Sequence, residues 1–296
     1  MYGDLAAVDD VTFDVKGEEV FSFLGPNGAG KTTTVEILES LRDPSGGDAF
    51  VLGYDVRKKS DQEEIRKRIG VVPQDFSAFD WLTVRENVDY FKGLYGGRTD
   101  TKYLLRLVGL EEKANSYYRT LSGGMKQRLG IAIALVNDPE VIFLDEPTAG
   151  LDPKGRRDTW NLIRQLRDEG KTTFLTTHYM EEAQALSDTV VIIISGKIVA
   201  RGSAEELIDK YGGRKSIAIR NSGEDLLSHL GGMDAKRGQN GEILVRFETH
   251  DDLSMVLSIL DKNRKNMAEI EIRRPNLEDV FLNVTGKRIT SEGSVD

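Results

Sequence analysis

Gly25-Pro26-Asn27-Gly28-Ala29-Gly30-Lys31-Thr32 fits the pattern G-x-x-x-x-G-K-[ST] of a phosphate-binding P-loop. The apolar run Val20-Phe21-Ser22-Phe23-Leu24 ahead of it reads as a buried strand, and the stretch from Thr33 to Leu41 reads as a helix. Strand, glycine-rich loop and helix in that order are the context the motif needs. Glycines let the backbone wrap an anion without Cβ clashes. Successive N–H groups and the helix N-terminus then supply positive potential. The spacing predicts Lys31 on the β- and γ-phosphates, Thr32 as a ligand of Mg²⁺, and Thr33 beside them at the helix start.

Composition sets the outer bounds. The 296 residues suffice for one large domain or two modest ones, and 39% hydrophobic with 30% charged residues is a globular balance. The longest apolar runs, such as Val190–Ile194, fall far short of the ~20 residues of a membrane span. No signal-peptide pattern opens the chain. With no cysteine, disulfides and thiolate metal sites are excluded. A net charge of -9 argues against nucleic acid as a partner.

Further along, Val8, Val11, Phe13 and Val15 alternate like a strand, and short strands are expected at Ala49–Leu52 and Ile69–Pro73. Residues 75–135 read as mostly helical, with a capping box at Thr83–Glu86 and a good N-cap at Ser122. The helix after Ser122, Leu129–Val136, is apolar nearly all round and therefore buried. Val141–Leu144 is a buried strand, Gly155–Asp168 a helix, and Thr172–Thr177 a strand that delivers His178. Val190–Ala200 reads as a hairpin. Gly212-Gly213 marks a boundary, beyond which strands and helices alternate up to a helix starting near Pro275.

Asp145 ends an apolar strand, the Walker B arrangement, where a carboxylate can hold the water shell of Mg²⁺. Glu146 is next in line to polarise an attacking water. His178 follows a strand of the same expected sheet, at the carboxyl edge where α/β sheets bind ligands, and Gln74 ends another. Alone, a carboxylate at a strand end or a single histidine is ordinary structure; the P-loop gives these residues their meaning.

Leu121-Ser122-Gly123-Gly124-Met125-Lys126-Gln127-Arg128 completes the set. With it the chain resembles the ATP-binding cassette (ABC) ATPases, the nucleotide-binding subunits of ABC transporters. The stretch from Leu121 is similar to the family signature, Gln74 to the Q-loop, Ala149–Pro153 to the D-loop, and His178 to the switch histidine. The resemblance covers residues 2–200. It implies an α/β fold: a P-loop NTPase core with a mixed sheet flanked by helices and a helical subdomain at about 75–135. It further implies ATP and Mg²⁺ as ligands, with Thr32, Gln74 and Asp145 on the metal. A head-to-tail pair of cassettes, identical or different, would hold ATP at the interface. Ser122, Gly123 and Gly124 would then face the nucleotide on the other cassette's P-loop, and Asp152 would couple the two sites. Glu146, His178, Lys31 and Gln74 are the expected catalytic group. Tyr2 is expected to stack on adenine, although only Met1 precedes it where the family has an edge strand.

The signature wording and Pro275-Asn-Leu-Glu-Asp-Val-Phe281 resemble the drug- and antibiotic-resistance exporters. Those ATPases pair with a separate ABC-2 type permease, which implies a peripheral location on the cytoplasmic membrane face. The expected domains are an ATPase at 1–211, a small α+β domain at 212–286 and a flexible tail at 287–296. Two rival readings fit less well. Translation- or repair-type ABC ATPases carry paired cassettes or coiled coils, and here there is one signature and no heptad insertion. A GTPase or small-molecule kinase leaves Leu121–Arg128 unexplained, and no Asn-Lys-x-Asp motif is present.

Overall fold

The computed structural model describes residues 6–220, 226–238, 241–247, 249–262, 269–287, 289–290 and 292–294. They divide into two units, residues 1–204 with 288–296, and residues 205–287.

The first unit is built on a six-stranded sheet. Its elements run β1 (Val20–Leu24), α1 (Lys31–Leu38), β2 (Phe50–Val51), β3 (Tyr54–Asp55), α2 (Lys59–Arg68), β4 (Ile69–Val72), α3 (Val84–Tyr95), α4 (Thr101–Leu107) and α5 (Gly123–Ala134). There follow β5 (Val141–Asp145), α6 (Pro153–Asp168), β6 (Thr172–Thr177), α7 (Met180–Leu186), β7 (Thr189–Ile194) and β8 (Lys197–Gly202). The order across the sheet is β4-β5-β6-β1-β7-β8, parallel up to β7 and antiparallel for β8. Strand side chains alternate between faces, and both faces are covered. Val20, Ile142, Leu144 and Leu175 join the residues of α3 to α6 on one side. Phe21, Phe23, Phe143 and Phe174 pack with Val35 of α1 and Ile65 of α2 on the other. This explains why the strands read as continuous apolar runs, as buried parallel strands do.

Local signals explain the helix ends. Thr83 and Glu86 form the expected capping box on α3, through Glu86 N to Thr83 Oγ1 at 3.2 Å and Thr83 N to Glu86 Oε2 at 2.7 Å. Asp152 caps α6, its Oδ1 accepting from Gly155 N at 3.1 Å, and Pro153 occupies the first turn.

The stretch expected as a strand near Val8–Val15 is irregular among the described residues. Its alternation is real, since Val11, Phe13 and Val15 are half-buried and the residues between them exposed. Phe13 lies 5.3–5.5 Å from the Phe23 and Phe21 rings. The backbone finds other partners: Asp9 N donates to Gly196 O and Arg201 Nη2 donates to Asp14 O, both at 2.9 Å. Period-two burial requires only a groove, whereas a strand requires a ladder.

The second unit starts with α8 (Ala204–Tyr211), so the division falls before Gly212-Gly213. Asn283 Nδ2 donates to Tyr211 O at 2.7 Å, which ties the end of α8 into this unit. Its sheet has the order β10-β11-β9-β12, from β9 (Lys215–Arg220), β10 (Ala235–Arg237), β11 (Ile243–Phe247) and β12 (Glu269–Arg273). Helices α9 (Leu226–His229) and α10 (His250–Lys262) cover it through Leu226, Leu230, Val256 and Leu260. The last helix, α11 (Leu277–Thr285), is capped by Asn276 and Asp279 and begins two residues after Pro275. No helix among the described residues is long and apolar enough to cross a membrane.

Candidate functional site

Sheet register gathers the site. Leu24 is level with Thr177, and Asp145 with Thr176, so the loops after β1, β5 and β6 open at one edge. Gly25 N donates to Thr177 O at 3.1 Å and seats the P-loop beside His178. Two glycines are compulsory there. A Cβ on Gly25 would lie 2.3 Å from Ile193 O; one on Gly30, at φ 102°, would lie 2.3 Å from Ala7 O.

Lys31 starts α1 and turns its Nζ back into the loop, donating to Gly25 O at 2.8 Å and Pro26 O at 3.1 Å. The same ammonium lies 3.3 Å from Glu146 Oε1, and the other oxygen of Glu146 lies 3.0 Å from His178 Nδ1. All three side chains are buried. Burial works against the Glu146 carboxylate, but the His178 hydrogen bond and the Lys31 charge outweigh it and hold the carboxyl below its usual range. Burial also pulls the Lys31 ammonium down, partly offset by Glu146 and Asp145. His178 Nε2 is buried and has no hydrogen-bond partner among the described residues. Glu146 itself has a left-handed backbone, φ 49°. Its N–H donates to both Thr176 O and Thr176 Oγ1, at 3.1 and 3.2 Å, so local strain is held in place by β6.

Asp145 Oδ2 accepts from Thr32 Oγ1 at 3.4 Å, and its Oδ1 accepts a short hydrogen bond from the Thr176 hydroxyl. Burial raises its carboxyl; the Thr176 hydrogen bond opposes this and the Glu146 charge adds to it. The expected residues Lys31, Thr32, Asp145, Glu146 and His178 therefore converge. Gln74 stands exposed, two residues past β4 on the neighbouring strand end. Ser122 is exposed and caps α5, its Oγ accepting from Met125 N at 3.4 Å; Gly123 is exposed and Gly124 buried. Among the described residues, no hydrogen bond carries the Ser122–Gly124 turn to the P-loop of its own chain. Tyr2 lies outside the described residues. Thr176 is a site residue that sequence reading missed. Its signal is the β5–β6 register, which places it directly beside Asp145.

The carboxyl-terminal residues also reach this edge. Asn27 N donates to Gly293 O at 2.6 Å and Asn27 Nδ2 to Glu292 O at 2.8 Å.

Comparison with known proteins accords with this geometry. The family model for the ABC transporter matches residues 8–149, and that for the "ATP-binding protein DrrA1-3-like, C-terminal domain" matches residues 202–285. The chain is 39% identical to the Nod factor export ATP-binding protein I of Rhizobium etli, over 97% of this chain and 91% of that protein. It is 36% identical to the doxorubicin resistance ATP-binding protein DrrA of Mycobacterium tuberculosis, over 96% and 89%. Among solved structures it resembles the dimeric post-hydrolysis state of the ATP-binding cassette MJ0796 bound to ADP and Pi. That match has a TM-score of 0.60 and 29% identity, over 67% of this chain and 91% of that one. Such cassettes work in pairs with a membrane permease. A P-loop backed by two carboxylates and a histidine, carried on this sheet by a chain with these relatives, belongs to the ATP-binding, ATP-hydrolysing subunits of ABC transporters.

Proposed function

We propose that the chain is the energy-coupling ATPase of an ABC exporter. It drives an ABC-2 type permease from the cytoplasmic membrane face and closes with a second cassette around two Mg²⁺-ATP. The export and drug-resistance names of its relatives, with the DrrA-like C-terminal domain, support the exporter class. The observation that carries the catalytic reading is the buried chain Lys31–Glu146–His178, with contacts of 3.3 and 3.0 Å at the P-loop edge.

Each residue has a physical task. Lys31 already points into the loop and exchanges its contacts to Gly25 O, Pro26 O and Glu146 for phosphate oxygens. Glu146, held ionised, then faces the attacking water as the base that orients it. His178 Nδ1 donates to the ionised Glu146 carboxylate, and its orphan Nε2, when it carries a proton, donates to a γ-phosphate oxygen. Asp152 fixes the start of α6 as a link toward the second cassette. Ser122 and Gly123 sit exposed at a helix N-terminus, the setting for an anion supplied by another chain. Tyr2 remains the proposed adenine contact.

The residues fit Mg²⁺. The Thr32 hydroxyl and the Asp145 carboxyl are neighbours and both offer hard oxygens; burial disfavours the ionised Asp145 carboxylate, and a cation beside it would favour it. Among the described residues no cluster of three or more His, Cys, Asp or Glu is ready to hold a metal. This suits an ion that keeps waters and leans on phosphate as well as on protein. Thr32 and Asp145, with Gln74, would hold it, and when bound it neutralises the charge on the phosphates.

Exposed aromatics in the helical region favour this region as the permease-facing surface. Trp81 is 70% exposed, with Arg119 stacked 3.9 Å from its ring centre, and Tyr90, Leu94 and Tyr95 are exposed on α3. The test of the catalytic reading is Glu146→Gln. ATP binding should persist while turnover falls about 100-fold or more; near-normal turnover places the base elsewhere.

A further inference from the structure

Glu182 is fully buried on α7, four residues past His178, and none of the roles above uses it. One of its oxygens, Oε1, accepts from Thr148 Oγ1 at 2.7 Å and from Trp160 Nε1 at 3.1 Å. These donors come from two separate places in the chain. Thr148 lies two residues past Glu146, in the turn closed by Ala149 N to Glu146 O at 3.1 Å and Leu151 N to Thr148 O at 3.2 Å. Trp160 sits two turns into α6, whose N-cap is Asp152. Thr148 is fully buried and Trp160 only 9% exposed, so water cannot replace either bond. The other oxygen, Oε2, is buried and has no hydrogen-bond partner among the described residues. Such a group is costly to keep in a core. Thr148 and Trp160 would be satisfied equally well by an amide, or replaced by apolar side chains of the same shape.

We infer that Glu182 is a positioning residue for hydrolysis: through Thr148 and Trp160 it holds the Glu146 turn, the Asp152 helix and the His178 strand end in a single register. This rests on the catalytic reading of Glu146 and His178 above. Glu146 has the left-handed backbone, and among the described residues the turn that follows it is anchored by a side chain only through Thr148 to Glu182. Loss of that anchor lets Glu146 drift from His178 and Lys31, and misplacement of about 1 Å costs on the order of 100-fold in rate. P-loop contacts to nucleotide do not pass through Glu182, so affinity is spared. The same connection carries a change at Asp152 to the catalytic turn.

The test uses the full chain with Thr148→Val, Trp160→Phe, Glu182→Leu and Glu182→Gln, each assayed for kcat, KM and equilibrium ATP binding. Thr148→Val and Trp160→Phe each delete one donor with little change of shape. Expected are losses of about 3- to 10-fold in kcat for each, and of about 10- to 100-fold for Glu182→Leu, with KM and ATP affinity within about twofold. Glu182→Gln, which keeps the Oε1 acceptor, restores most of the rate. In Glu182→Leu/Thr148→Val the second change adds little, because both act through one contact. Unchanged kcat in Thr148→Val and Trp160→Phe overturns the inference, as does a loss of ATP affinity that parallels the loss of rate. If Glu182→Leu does not fold, the two donor deletions decide alone. Glu146→Gln, run alongside, separates the two claims: if it still turns over, the catalytic reading has failed; if it is inactive while the donor deletions are fully active, only the Glu182 inference has.

Discussion

Glu39→Gln should make the first unit more stable at neutral pH. Glu39 is the C-cap of α1 and only 6% exposed. Burial, then the charges of Asp145 and Glu36, raise its carboxyl from an ordinary 4.5 to about 8. The negative end of the helix acts in the same direction. Between those two values the folded chain keeps a proton that the unfolded chain releases. The contribution to stability is therefore complete below 4.5 and is lost as pH rises toward about 8. At ~1.4 kcal/mol per unit, roughly 3 kcal/mol is gone near pH 7. Glutamine keeps the shape and cannot ionise. The assay is urea unfolding followed by tryptophan fluorescence from about pH 5 to 8; both tryptophans, Trp81 and Trp160, lie in this unit. Wild type should lose stability across that range, and the variant should fall less steeply and end higher. Parallel slopes would refute the reasoning, because they would mean that Glu39 ionises alike in both states.

Two further outcomes are expected. Phe174→Ala removes a ring 5.2–6.1 Å from those of Phe13, Phe21, Phe23 and Phe143; it should cost ~3–5 kcal/mol in urea unfolding, since the β-sheet around it collapses little. Deleting residues 288–296 frees the Asn27 N–H from Gly293 O; if one net hydrogen bond of ~1 kcal/mol competes with phosphate, ATP binding measured by calorimetry should tighten about fivefold.

Much of the site was legible because its signals are local. The P-loop pattern fixes its own backbone, and the apolar run into Asp145 announces a buried strand with a polar end. The capping box at Thr83 is likewise written within four residues. What escaped depends on pairing between distant segments. Thr176 becomes a site residue only through its register with Asp145, and Glu182 only through folding of α7 against α6. The stretch near Val8–Val15 erred in the other direction: alternation records which side chains are covered, and it carries no information about hydrogen-bond partners.

The central claim is that two cassettes close over ATP, with Ser122 of each serving the other's P-loop. The most direct measurement is the solution mass of Glu146→Gln by light scattering, with and without Mg²⁺-ATP, alongside Glu146→Gln/Ser122→Arg. Glu146→Gln should be a monomer that becomes a dimer only with Mg²⁺-ATP, and the double variant should bind ATP yet stay monomeric. A double variant that dimerises as readily, or that loses ATP binding as a monomer, would contradict the role of Ser122 across the interface.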